Sequence, residues 1–194
     1  AMQAMLDPDD EVILPVPCWT SCPGMVQLAG ARPVTVTCRE DNNFKLRASD
    51  LEKAITDQTR LILLNSPNNP TGAAYSAEEM KPLTDVLMRH PKIWIITDDI
   101  YEHIVFDDFA FVTPANLEPG LYDRTLTING VSKAYSMTGW RIGYAGGPKD
   151  LIGGIVKVLS QSAGNPCSIS QAAAVAALQG PQDFISERAA QFRG

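Results

Sequence analysis

Histidine is scarce in this chain: among 194 residues only His90 and His103 are imidazoles. The four cysteines, Cys18, Cys22, Cys38 and Cys167, form no CxxC pair and no disulfide-framework spacing. Together these shortages argue against a structural zinc site and predict a reduced, intracellular protein. No apolar run approaches the length that crosses a bilayer, and the opening "AMQAMLDPDDE" lacks the layout of a secretory signal. Clusters of one charge are missing as well. The 16 basic and 22 acidic residues are spread along the chain for a net charge of -6, which argues against a nucleic-acid face and against an acidic tail. Repeats and low-complexity stretches are also absent.

What is present suits one sizeable domain with a real core, since 45% of the residues are apolar and 20% charged. "AMQAML" reads as the tail of an amphipathic helix, and "PQDFISERAAQFRG" as a helical pattern that stops short. Both suggest the central part of a longer protein. Short apolar strands are predicted for "EVILPV", "RLILLN" (60–65), "IWIIT" (93–97) and "TLTIN" (125–129), with "RIGYAG" as a further candidate. Helices are predicted between them. Ser76 and Glu79 have capping-box spacing ahead of Met80, Leu83, Val86 and Leu87, which fall on one helical face. Ser49 and Glu52 have the same spacing at "SDLEKAI". "PKDLIGGIVKVLSQSAG" has Pro148 near its start and Gly164 as a stop, and "SISQAAAVAALQG" is a helix of small residues. Continuous apolar strands alternating with helices predict an α/β fold, a three-layer α-β-α arrangement around a mostly parallel sheet.

In such sheets ligands bind beyond the carboxyl ends of the strands. Here "RLILLN" hands over to "SPNNPTG", "IWIIT" to "DDIYEH" and "TLTIN" to "GVSK". An amide, a carboxylate with a phenol, and an amine would therefore meet on one rim. Each has an ordinary reading when taken singly. "NNPTG" is good turn chemistry, Asp98 or Asp99 could cap the next turn, and Lys133 could be a surface lysine with a covered stem. Arg141 could pair with an exposed acid, Trp19 could belong to a core, and His90 suits a helix C-terminus. The joint arrangement is harder to dismiss. A lysine, a carboxylate, a phenol, an amide and an arginine suit a phosphorylated carbonyl cofactor. The amine forms a Schiff base, the carboxylate holds a pyridine nitrogen protonated, and the guanidinium grips the phosphate. That set matches pyridoxal 5'-phosphate.

The motifs "NSPNNPTGAAYS", "TDDIYEH" and "NGVSKAYSMTGWRIGYAGGP" resemble, in this order, those of the class I/II, fold-type I pyridoxal-phosphate aminotransferases. Within that family the texture is most similar to the bacterial aspartate aminotransferases. The resemblance implies that Lys133 is the Schiff-base lysine and the base, and that Asp98 pairs with the pyridinium nitrogen. It implies that Asn69 and Tyr101 bond the ring's phenolic oxygen, and that Ser132 and Arg141 hold the phosphate. Trp19 would stack on the ring and, with Asn69, border the substrate. It further implies amino-acid and 2-oxo-acid substrates (aspartate and 2-oxoglutarate favoured), a cytoplasmic homodimer, and residues 1–194 as an incomplete cofactor-binding large domain, inactive alone. The glycine-rich phosphate turn would precede it, and a small domain with the carboxylate-binding arginine would follow. Cys18 departs from the pattern, since an aromatic residue commonly precedes this tryptophan. Other readings are a different fold-type I reaction (aromatic or kynurenine aminotransferase, carbon-sulfur lyase) and an aminotransferase-like sensing domain of a transcription regulator.

Overall fold

The apolar runs become strands because each can be buried on both faces. The structure is a computed structural model describing residues 1–193. In it β1 (Glu11–Val16), β3 (Thr59–Asn65), β4 (Trp94–Asp98) and β5 (Thr125–Gly130) lie where those runs predict. With β2 (Arg32–Thr37) and β6 (Gly143–Gly146) they form one sheet in the order β2-β1-β3-β4-β5-β6. All neighbours pair parallel except β5 and β6, which are antiparallel.

The period-two alternation of strand side chains divides the core into two layers. Ile13, Ile62, Leu64 and Ile95 pack against Leu51 of α2 (Ala48–Ala54) and against Met80, Leu83, Val86 and Leu87 of α3 (Ala77–Arg89). Val12, Leu14, Leu61, Leu63, Ile96 and Leu126 face the other way. They pack on Cys22 and Val26 of α1 (Ser21–Leu28) and on Leu151 of α5 (Lys149–Ser162). Side chains such as Leu61, Ile62 and Leu126 have no solvent exposure, and each such burial contributes about 1.5–3 kcal/mol. A short α4 (Pro114–Leu117) precedes β5, and α6 (Ser168–Gln179) and α7 (Asp183–Arg193) follow α5. This is the expected three-layer α-β-α fold with a mostly parallel sheet.

Several local expectations need correction. The Ser76–Glu79 capping box forms, with Ser76 Oγ accepting from Glu79 N–H at 3.3 Å. The Ser49–Glu52 box does not, because α2 starts two residues earlier than that box requires, after Arg47, which makes no side-chain cap. Glu52 turns instead to Arg89 and to His90 Nε2 at the end of α3. "AMQAML" contains only a single 3-10 turn, Met2–Ala4, and Met2 and Leu6 are buried beside α5. Pro148 is the N-cap of α5, one position before the first helical residue. Besides the short α4, a strand and a helix were not anticipated. β2 carries Pro33, which an edge strand tolerates, and α1 carries Pro23 and Gly24, which obscure a helical pattern.

The loop before α3 is held from inside. Tyr75 is 5% exposed and its hydroxyl oxygen accepts from the Leu46 N–H at 2.6 Å. Tyr75→Phe should therefore cost about 1–3 kcal/mol, the penalty for an orphaned buried N–H. Urea denaturation would register this as a lower midpoint with an unchanged slope.

Candidate active site

Parallel register brings three strand ends to one rim: Asn65 of β3 lies opposite Asp98 of β4, and Asp98 opposite Ile128 of β5. The Asn65 side chain closes the first gap. Its Nδ2 donates to the Asp98 carbonyl at 2.8 Å, and its Oδ1 accepts from the Asn69 N–H at 2.8 Å. The "NNPTG" turn is then built on its own backbone, with Gly72 N–H donating to Asn68 O at 2.8 Å. Gly72 has φ 72°, where a Cβ would be strained. Asn68 Nδ2 donates to Thr71 Oγ1 at 2.8 Å and to Pro17 O at 3.0 Å, tying the turn to the segment that carries Trp19.

The two adjacent aspartates point to opposite faces. Asp98 shares the face of Ile96, and its carboxylate Oδ1 accepts from the Ile100 N–H at 3.3 Å. Burial holds its carboxyl above the ordinary range, while the Ile100 N–H and the nearby Lys133 ammonium oppose that rise. Asp98 has no ion pair among the described residues. Asp99 is 4% exposed, and its carboxyl is pushed up to about 7 by burial first, then by Glu102 and Asp98. Its Oδ2 lies 3.5 Å from the Thr97 hydroxyl. Only Asp98 therefore has a cation for a neighbour. The Lys133 Nζ lies 5.5 Å from the centroid of the Tyr101 ring. Tyr101 and Asn69 line one open cavity of about 510 Å³, together with Phe106 and Phe109.

Lys133 and Arg141 belong to one connection, residues 131–142, which joins β5 to β6. Its base is narrow: Gly130 pairs with Gly143, and a Cβ on Gly130 would lie 3.1 Å from Ile100 Cδ1 and 3.2 Å from Gly143 Cα. A side chain there would require these neighbours to give by a few tenths of an ångström. Ser132 is partly buried beside Lys133. Arg141 is exposed, in a left-handed conformation with φ 50°, and its Nη1 donates to Thr138 O at 2.8 Å. Non-glycine residues in that region are uncommon and concentrate at functional positions. Trp19 is 48% exposed at the start of α1, so its ring belongs to no core. The structure thus gathers Asp98, Tyr101, Asn69 and Lys133, holds Ser132 beside them, and leaves Trp19 and Arg141 open on flanking segments.

Two amides escaped the sequence reading. Asn65 is one. The other is Asn129, whose Nδ2 donates to Glu102 Oε1 at 2.6 Å and whose Oδ1 accepts from Gly130 N–H at 2.7 Å. The only signal for either was its place as the last polar residue of an apolar run. A separate cleft at the β2 edge is lined by Arg39, Lys45, Arg47 and Lys53, but the last three pair with Glu79, Asp41 and Asp50.

The family description "Aminotransferase class I and II" matches residues 1–194. The chain belongs to the class I and II aminotransferases. An aspartate aminotransferase of Rhizobium meliloti is 60% identical over 100% of the chain and 47% of its own length. An aspartate/prephenate aminotransferase of Cereibacter sphaeroides is 58% identical over 100% of the chain and 48% of its own. The chain therefore spans about half the length of the curated relatives it matches. Among solved structures, the Rhizobium meliloti aspartate aminotransferase superposes with TM-score 0.97 at 59% identity, covering 99% of this chain and 48% of that one. An aromatic aminotransferase of Pyrococcus horikoshii superposes with TM-score 0.94 at 35% identity, covering 99% and 52%. No helix among the described residues is long and apolar enough to cross a membrane.

Asp99 gives this aminotransferase rim a pH signature. A carboxyl raised in the folded state binds its proton more tightly there than in the unfolded chain. Its stabilising contribution is complete below the ordinary carboxyl range, about pH 4, and is lost as pH rises through about 7. Asp99→Asn should remove that loss. Its urea midpoint should exceed the parent's at about pH 8 and approach it at about pH 5.

Proposed function

We propose that this chain forms the cofactor-binding large domain of a pyridoxal 5'-phosphate-dependent aminotransferase that moves an amino group from aspartate to a 2-oxo acid. The observation that carries the reading is the convergence of Asp98, Asn69, Tyr101 and Lys133 beyond the carboxyl ends of β3, β4 and β5. The residues fit the cofactor chemically. Asp98 is a mostly buried carboxylate with a raised pKa and no ion-pair partner among the described residues, a situation that a cationic ring nitrogen relieves. When bound, the cofactor supplies an electrophilic aldehyde carbon and an electron-withdrawing ring.

The chain's own side chains do the rest. Lys133 Nζ would hold the cofactor through its aldehyde carbon and would be the base that takes the proton from the amino acid's Cα. Asp98 holds the ring nitrogen in its protonated form. Asn69 and Tyr101 donate to the ring oxygen, and Ser132 and Arg141 bind the phosphate, Arg141 as a two-pronged donor. Trp19 covers the ring face with its open indole and, with Asn69, borders the substrate. Aspartate as donor is favoured by the relatives' names, and 2-oxoglutarate as acceptor by the motif resemblance alone. Prephenate, itself a 2-oxo acid, is a second acceptor suggested by the name of the Cereibacter sphaeroides relative. The glycine-rich phosphate turn and the arginine for the substrate carboxylate are assigned to the rest of the protein, outside residues 1–194. A cytoplasmic homodimer completes the proposal, on the family resemblance.

Borohydride reduction of the full-length protein should leave the cofactor attached to the peptide bearing Lys133; a label elsewhere, or none, would refute the assignment. Lys133→Ala should lower transamination by about 100-fold or more, in line with loss of a general base. Asp98→Ala should reduce kcat by on the order of 100-fold while the cofactor still binds. A near-normal rate in stopped-flow measurements of Cα-proton removal would shift the pyridine-nitrogen role to Asp99.

A further inference from the structure

We propose that Asn65 is a positioning residue for the site, an amide clamp that sets Asp98 and Asn69 at a fixed spacing. The inference rests on the functional reading above and adds to it a side chain that touches neither cofactor nor substrate. Asn65 ends β3, and its two polar ends are both engaged. Nδ2 donates to the carbonyl of Asp98 on β4 at 2.8 Å, and Oδ1 accepts from the backbone N–H of Asn69 in the following turn at 2.8 Å.

Both partners are main-chain groups of residues whose side chains do the binding. The bond to Asp98 O joins the Asp99 N–H bond to Ile128 O in fixing the peptide plane that leads from Asp98 towards Ile100 and Tyr101. The bond from Asn69 N–H fixes the plane that aims the Asn69 side chain. An amide is needed for both tasks at once, because it carries a donor and an acceptor on one short stem. An aspartate would set a second oxygen against the Asp98 carbonyl. An alanine would free the Asn69 plane and leave the Asp98–Asp99 plane with one tether, the Asp99 N–H donating to Ile128 O at 2.9 Å. Register alone cannot do this work: the ladder aligns Asn65 with Asp98, but Asn69 lies beyond the strand, where no ladder partner holds it.

A structural role would act through global stability. A positioning role acts on the geometry of two ligating side chains, where displacements on the order of 1 Å cost up to about 100-fold in rate. Asn69 donates to the cofactor's ring oxygen in the proposed site. If that donor is loosened the oxygen becomes more basic, so the visible band of the bound cofactor should titrate at a higher pH.

The test compares the full-length parent with Asn65→Ala and Asn65→Asp. In the cofactor-free protein, amide hydrogen exchange of the 67–72 segment should accelerate about tenfold or more in Asn65→Ala, with the central strands unchanged. In the holoenzyme, the band should titrate about one pH unit higher, and kcat should fall about tenfold with KM for the amino donor changed far less. Asn65→Asp keeps the acceptor for Asn69 N–H, so protection of 67–72 should survive while kcat still falls. Unchanged exchange and titration in Asn65→Ala, or exchange raised equally across the sheet, would overturn the proposal. If Asn65→Ala does not fold, loss of the 67–72 protection in Asn65→Asp overturns it and retention supports it. A parent protein that binds no cofactor would sink the functional reading, and the exchange measurement would still decide whether Asn65 clamps the turn.

Discussion

Parallel register sets Asn65 beside Asp98 and Asp98 beside Ile128, and everything above the sheet is hung from that row. The strands are apolar along their length because helices cover both faces of the sheet. Polar side chains can then be accommodated only where the strands end. The connections leaving that rim are tied down by side-chain amides. Asn65 reaches across to β4 and forward to the turn, Asn68 reaches back to Pro17, and Asn129 joins Glu102 to Gly130. A lysine in such a connection is held at the mouth of the core instead of swinging in solvent.

The two neighbouring aspartates show how strand geometry distributes chemistry. Consecutive residues point to opposite faces, so Asp98 and Asp99 meet different surroundings despite sharing a peptide bond. Asp98 lies within the influence of Lys133, and a cationic ring nitrogen completes its environment in the proposed site. Asp99 is enclosed with acids for neighbours, and its proton is retained to about neutral pH. Strand geometry thus gives one carboxylate a cationic neighbour and the other only acids.

Much of the fold was legible in the chain. β1, β3, β4 and β5 are continuous aliphatic runs, and their burial on two faces leaves few alternatives. β2 and α1 were not legible, because Pro33 in one and Pro23 with Gly24 in the other break the local pattern, and packing on neighbours overrides that weak preference. Identical cap spacing at Ser49 and Ser76 had different outcomes, since Glu52 found Arg89 and His90 on α3 while Glu79 turned back to its own N-cap. At the rim, the closeness of Asn69, Asp98, Tyr101 and Lys133 was legible because each follows an apolar run of a parallel sheet. Asn65 and Asn129 were not, because their importance lies in bonds to residues distant in sequence or around a turn.

The amino-acid order by itself determined that polar groups of complementary chemistry follow three buried strands, and that a lysine and an arginine share one connection. Those facts depend on local composition and spacing. Only the tertiary structure decided which of two adjacent aspartates faces the lysine. It also decided that Trp19 stands open instead of joining a core, and that one asparagine side chain joins two strand ends to a turn. Strand register and the direction of each Cβ are set by pairing with distant segments, and no local stretch contains that information.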